Sequence, residues 1–266
     1  MIYRYTRSIR NNHSARKLCI LIICAATARP PSIGATSFIN HYVTTRRSLS
    51  RTSKIVKSPR NLSNSCVNIH ECEDEIIRRT NKWVKNVIVG LNFCPFAERA
   101  LTKNELQTIV VRGDNEEEII SSVLLESLLR KDQVGTTLVV TPDLHSTDFI
   151  DFWNVVDFAE STLRRQDLDG IIQIAPFHPL FEFAGEEDDV GNLTNRSPYP
   201  IFHILREDEV ERAVEKLKGD SSKVWKRNIS LLESMEEHYG RSSTESIMSG
   251  AKQVEGVLDL IKKKDD

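Results

Sequence analysis

Neither aspartate nor glutamate occurs in the first 70 residues of this chain, although the rest carries all 38 acidic groups. That asymmetry limits how much of the 266-residue chain can fold as one unit. Twelve of the 36 basic side chains lie in the acid-free segment, so residues 71–266 keep 24 and have a net charge of −14. The chain-wide value of −2 averages two unlike pieces. An acid-free stretch rich in Arg, Ser and Thr, without sustained apolar periodicity, has the composition of an organelle-targeting presequence. The acidic remainder is long enough for one good core. Its charge argues against sequence-independent binding to nucleic acid or anionic lipid, because both rest on clustered Lys and Arg.

The basic segment contains one apolar run, Leu18 to Ala28, between Lys17 and Arg29. Eleven residues are too few to span a bilayer, where about 20 are needed, but they suffice for the centre of a signal peptide. The following Gly34-Ala35-Thr36-Ser37-Phe38 is similar to the cleavage region of bipartite plastid presequences. The expected organisation is a disordered presequence and linker over 1–72, one domain over 73–240, and a C-terminal helix and charged tail over 241–266. A plastid is the expected destination ahead of a mitochondrion, and stable membrane insertion of the mature body is not expected. Five cysteines without a CxxC give neither a zinc ribbon nor a dithiol motif. Cys66, His70 and Cys72 cluster in the linker, where a chance grouping explains them.

In the body, apolar positions switch between helical and strand periods. Residues 73–91 place Ile76, Ile77, Trp83, Val84, Val87, Ile88 and Leu91 at helical spacing. Pro95 suits the first turn of a short second helix. Strands are expected at 106–112, 136–140, 171–177 and 201–206, and helices at 116–130, 148–165, 208–218, 221–239 and 244–262. Alternation of this kind predicts an α/β fold (α+β being the near alternative): one domain, a mixed sheet of about four strands covered by helices, and a helical C-terminal part. The body has no GxGxxG, GxxxxGK[ST], GxSxG or HExxH, so the dinucleotide, P-loop, esterase and zincin readings lose their usual support.

Polar, geometrically restricted residues gather in two places. The first is 178–203, HPLFEFAGEEDDVGNLTNRSPYPIFH, a long loop stiffened by Pro179, Pro198 and Pro200. If the strands at 136–140 and 171–177 run parallel and that at 201–206 returns antiparallel, Asp143, His145 and His178 share a sheet edge with Asn195, Arg196 and His203. Such a set would anchor an anionic small molecule through Arg196, Asn192 and Asn195, with His178 or His203 as proton carrier. Each member also has a structural reading: a strand cap for His178, a half-buried strand residue for His203, a clip to nearby carboxylates for Arg196.

The second place is 92–100, NFCPFAERA. A cysteine opening a helix faces unpaired amides that favour thiolate, so Cys94 is the candidate nucleophile or redox thiol. FCPFAER resembles the active-site segment of omega-type glutathione transferases, which implies a glutathione-accepting cysteine in a thioredoxin-like domain. A helical pattern precedes Cys94 here, where that domain has a strand. Packing of Cys94 beside Phe93 and Phe96 is the alternative.

Several longer blocks resemble one bacterial family throughout the body: WVKNVIVGLNFCPFAERA, TTLVVTPD, QIAPFHPLFEFAG, NLTNRSPYPIFHILRE and NISLLESM. They identify the chain as resembling the family known as domain of unknown function 1415, which has no established activity. The resemblance supplies a grouping and implies neither reaction nor cofactor. Three functional expectations therefore stand side by side. The first is a small-molecule enzyme with Cys94 and His178 catalytic and Asn192, Asn195, Arg196 and His203 binding the ligand. The second is a non-catalytic module sensing an anionic metabolite with the same loop. The third, a lesser one, is a metal site using His145, His178, His203 and an acid from 186–189.

Overall fold

The computed structural model describes residues 71–183, 185, 188–216, 221–253 and 255–259. The expected presequence lies outside the described residues, apart from its last two positions. Helical segments pack around a sheet of strands β1 (Leu106–Val110), β2 (Thr136–Val140), β3 (Ile172–Phe177) and β4 (Ile201–Arg206). Their order is β1-β2-β4-β3. β1 and β2 are parallel, while β4 is antiparallel to both of its neighbours. β2 and β3 therefore point the same way, as the sequence predicts, but β4 lies between them. Ile201 pairs with both Val140 and Phe177, so the ends of β2 and β3 and the start of β4 form one edge.

Helices cover both faces, because the strand alternation is apolar on both. Val139, Ile172, Ile174, Phe202 and Ile204 pack with Ile119, Val123, Phe152 and Val156 of helices α3 (Glu116–Lys131) and α4 (Phe149–Arg165). Both helices start at a side-chain cap: Asn115 Oδ1 accepts from the Glu117 and Glu118 amides, and Asp148 Oδ1 from the Asp151 amide. Each such cap contributes about 1 kcal/mol. On the other face, Leu138, Val140 and Ile201 meet α1 (Glu73–Trp83), the π-helical turn Val84–Val89, α6 (Ser221–Tyr239) and α7 (Arg241–Met248). The short α2 (Ala97–Thr102) follows the π turn, and α5 (Glu207–Lys216) follows β4.

Two expected helices are shorter than their apolar periods. The first becomes a π turn at Val84, and its chain then reverses through Asn92 in the left-handed region (φ 55°). The last ends at Met248, where Gly250 takes a positive φ of 75°. A further glycine is fixed by close approach. Gly135 opens β2 at φ 101°, and a Cβ there would sit 2.1 Å from the Glu105 carbonyl oxygen. That oxygen accepts the Thr136 amide at 2.8 Å and cannot retreat without breaking the first β1–β2 link. Gly135→Ala is expected to cost on the order of 2–4 kcal/mol, measured as a lowered denaturant midpoint with unchanged slope.

No helix among the described residues is long and apolar enough to cross a membrane.

Candidate functional site

A cavity of about 380 Å³ opens between the α1-side face of the sheet and the segments α1, the π turn, α2 and α5. Strand alternation determines which residues reach it. Thr136 and Leu138 of β2, Ala175 and Phe177 of β3, and His203 and Leu205 of β4 all lie on that face. Trp83, Ile88 and Phe93 form much of the opposite wall, and Cys94, Phe96 and Ala97 bring the turn before α2 into it. Thr194 and Asn195 close one end.

Cys94 is held by backbone geometry. The π turn leaves the Ile88 carbonyl available to accept both the Phe93 amide (2.9 Å) and the Cys94 amide (3.4 Å). From α6, the fully buried Asn228 donates its Nδ2 to the Phe93 carbonyl at 3.0 Å, and Arg227 Nη1 donates to the Asn92 carbonyl at 3.0 Å. The thiol is half-buried. Burial pushes its pKa above the usual thiol range, opposed by hydrogen bonds from the Phe96 and Ala97 backbone. Helix-start amides do point at the sulfur, as the sequence implies, but desolvation outweighs them. At neutral pH the resting group is the thiol. Asn228→Ala strands the Phe93 carbonyl and is expected to cost about 1–3 kcal/mol and to speed Cys94 alkylation by loosening the turn.

His203 is half-buried, and its tautomer follows from its neighbour. Thr136 Oγ1 lies 2.6 Å from the Ile204 carbonyl and 2.7 Å from His203 Nε2. A carbonyl only accepts, so the hydroxyl hydrogen goes to Ile204 and Nε2–H donates to the hydroxyl oxygen. Nδ1 is left as the lone-pair nitrogen, with no hydrogen-bond partner among the described residues. Burial lowers the imidazole pKa from 6.5 to about 4, so His203 is neutral at pH 7.

The remaining sequence candidates lie elsewhere or are committed to the loop itself. His178 follows Phe177 and so faces the opposite side of the sheet, fully buried and stacked on Phe152 at 5.0 Å. Its Nε2–H donates to the His145 carbonyl (2.9 Å), and its Nδ1 accepts the Leu180 amide (3.0 Å). Burial lowers its pKa from 6.5 to about 4. Arg196 donates Nε to the Phe181 carbonyl (3.1 Å) and Nη1 to the Pro179 carbonyl (2.7 Å), clipping the loop through backbone oxygens. Asn192 Oδ1 accepts the Phe183 amide at 2.8 Å. Asn195 reaches the cavity, but its Nδ2 donates to the Pro176 carbonyl (3.1 Å) and its Oδ1 accepts from Thr194 Oγ1 (3.1 Å). Cys94, Asn195 and His203 thus share one cavity, whereas His178, Asn192 and Arg196 do not line it.

The histidines of the metal expectation are not brought together. His145 bonds Glu116 at 3.0 Å, and His178 and His203 occupy opposite faces of the sheet. Among the described residues no group of three or more His, Cys, Asp or Glu could hold a metal ion. Nor does a strand precede Cys94, as a thioredoxin-like site requires; α1 and the π turn do.

Sequence reading missed Thr136 and Asn228. Thr136 reads as an ordinary strand threonine. Asn228 has a faint signal, an amide at a position of α6 flanked by Trp225, Ile229, Leu231 and Leu232.

The fold is a single mixed-sheet α/β domain with a cavity against one face of its sheet. The family model described as "Protein of unknown function (DUF1415)" matches residues 75–241, and the chain belongs to that family. The match covers α1 through the start of α7 and so includes every cavity-lining residue. No curated protein and no solved structure matches the chain.

Proposed function

We propose that the protein is a small-molecule enzyme that works through the Cys94 thiol, with His203 as the base. The observation that carries this reading is that Cys94 and His203, whose Nδ1 has a lone pair to offer, line one largely apolar cavity. As Sγ bonds to an electrophilic carbon, the S–H proton passes to Nδ1, and the imidazolium returns it to the leaving group or product anion. A neutral thiol beside a neutral imidazole keeps the resting site uncharged, in line with its burial. Asn228 acts as a positioning residue through the Phe93 carbonyl. His178, proposed from sequence as the base, supports the edge instead.

With p-nitrophenyl acetate as probe electrophile, the expected result is a burst of one p-nitrophenolate per chain. Cys94→Ser should abolish it, and His203→Gln should slow it about tenfold or more with the fold retained. A burst no larger than that of Cys94→Ser overturns the reading. A second reading, a non-catalytic binding module, is favoured by the raised thiol pKa. It requires ligand binding to persist unchanged in Cys94→Ser with no turnover in either form.

Residues 1–72 are proposed to direct import into an organelle, a plastid ahead of a mitochondrion. The support is the acid-free Arg/Ser composition and the apolar run Leu18–Ala28. Fused to a fluorescent protein, the segment should send it to plastids; diffuse cytosolic signal would contradict import.

A further inference from the structure

We infer that the cavity takes an uncharged, largely apolar molecule bearing one hydrogen-bond donor, of which a phenol is the simplest form, and not an anion. The inference rests on the site proposed above and specifies the leaving group or product held there: the protonated leaving group of an aryl ester, and not the electrophile itself, is what donates to the imidazole. Among the polar groups of the cavity, Thr136 is committed to Ile204 and His203, and Thr194 and Asn195 to each other and to backbone oxygens. The lining groups with capacity to spare are the Cys94 thiol, the His203 imidazole, whose Nδ1 carries the lone pair, and one N–H of the neutral Asn195 amide. Nδ1 offers a lone pair to a donor and would repel a carboxylate or phosphate oxygen. The imidazole does not become a cation near neutrality, because burial keeps it deprotonated.

Among the described residues no interior cation replaces it. Arg196, on which the expected anionic ligand depended, is bonded to Phe181 and Pro179 carbonyls away from the cavity. Arg99 and Arg212 line the mouth but are 55% and 58% exposed, and each has a carboxylate partner, Glu105 at 3.7 Å and Asp208 at 3.0 Å. Glu105 and Glu209 also line the cavity, so the mouth carries both signs. An ion brought inward would lose its hydration without a compensating charge, a cost of several kcal/mol. An aromatic ring would instead meet Trp83, Phe93 and Phe177, and its hydroxyl would reach the imidazole.

The test uses the full chain and follows iodoacetamide labelling of Cys94 by peptide mass spectrometry, with 2-naphthol, 2-naphthoate or inorganic phosphate present. At saturating millimolar concentration, 2-naphthol is expected to slow Cys94 labelling about fivefold or more, a reasonable occupancy for a fragment of this size. Naphthoate and phosphate should change it less than about twofold. Ala213→Trp, which places bulk at the cavity wall, should abolish the naphthol effect with the fold intact by circular dichroism. Equal or greater protection by naphthoate or phosphate, absence of naphthol protection, or protection that persists in Ala213→Trp overturns the inference. Thiol reactivity without ligand reports separately on the catalytic proposal, so the two fail independently.

Discussion

Between pH 7 and pH 4 the unfolding free energy is expected to fall by about 3 kcal/mol, as two buried imidazoles gain the protons the fold denies them. His178 and His203 both drop from 6.5 to about 4 in the folded chain. In that window the unfolded chain binds more protons than the folded one. The stability is therefore fully present above pH 6.5 and lost as pH falls towards 4. Each shift corresponds to about 3 kcal/mol. Glu160 works in the opposite sense: burial raises its pKa from 4.5 to about 7, so its ionisation destabilises the fold as pH rises and its protonation relieves this on acidification. One carboxyl offsets one imidazole, which leaves the stated net. Denaturant titrations across the range check this. Glu160→Gln should nearly double the acid loss, and His178→Gln should remove about half of the histidine contribution. A flat profile from pH 7 to 4 in the parent protein would mean that the two rings are not held neutral.

The second large effect concerns Trp83, which forms part of the core and of the cavity wall. It is 2% exposed, donates Nε1–H to the Met248 carbonyl at 2.9 Å, and meets Phe177 edge to face at 5.4 Å. Removing the indole opens a void at the junction of α1, the sheet and α7, and strands a carbonyl at the end of α7. Trp83→Ala is expected to cost about 4–5 kcal/mol. In a domain of this size that lowers the melting temperature by roughly 10–20 °C. Trp83→Phe keeps most of the packing and loses the hydrogen bond, so about 1–2 kcal/mol is expected. If the two variants melt together, the Met248 link dominates and the packing argument fails. The same link shows why residues beyond the family match belong to the core: Ile247, Met248 and Val257 are buried against it.

The sheet was legible because β-branched runs such as TTLVV and IFHILR are bounded by glycine and proline, which periodicity and turn chemistry read directly. Strand order was not legible. Nothing local in Ile201–Arg206 says that it inserts between β2 and β3, since that is settled by long-range packing of both its faces. Helix ends were less legible for a related reason: the apolar period continues through Val84–Val89 and past Met248, but backbone turns at Asn92 and Gly250 interrupt it.

The site was legible in part, and the error has a specific cause. Gathering Asp143, His145, His178, Asn195, Arg196 and His203 at one edge joined residues that the fold separates: only Asn195 and His203 line the cavity, which reaches towards the start of β2 at Gly135 and Thr136. Alternation along β3 places Ala175 and Phe177 towards the cavity and therefore His178 away from it. His203 falls on the cavity side with Ile201 and Leu205. Arg196 could not be judged from sequence, because its partners are carbonyls of residues 15 and 17 positions earlier, and carbonyls carry no sequence signature. The thiol was misjudged in sign. Helix-start amides are visible in sequence, whereas the burial that overcomes them depends on how distant segments, among them β3 and α5, close around the cavity.

The central claim is that Cys94 is an accessible thiol served by His203 in one cavity. The most direct test is the rate of Cys94 alkylation in the folded full chain as a function of pH, resolved by peptide, with and without His203→Gln. The account predicts labelling without unfolding, an apparent pKa above the ordinary thiol value of about 8.5, and a rate near pH 7.5 that falls about fivefold or more in His203→Gln as general-base assistance is lost. Labelling only at the rate of global unfolding, or a pH profile unchanged by His203→Gln, would contradict it.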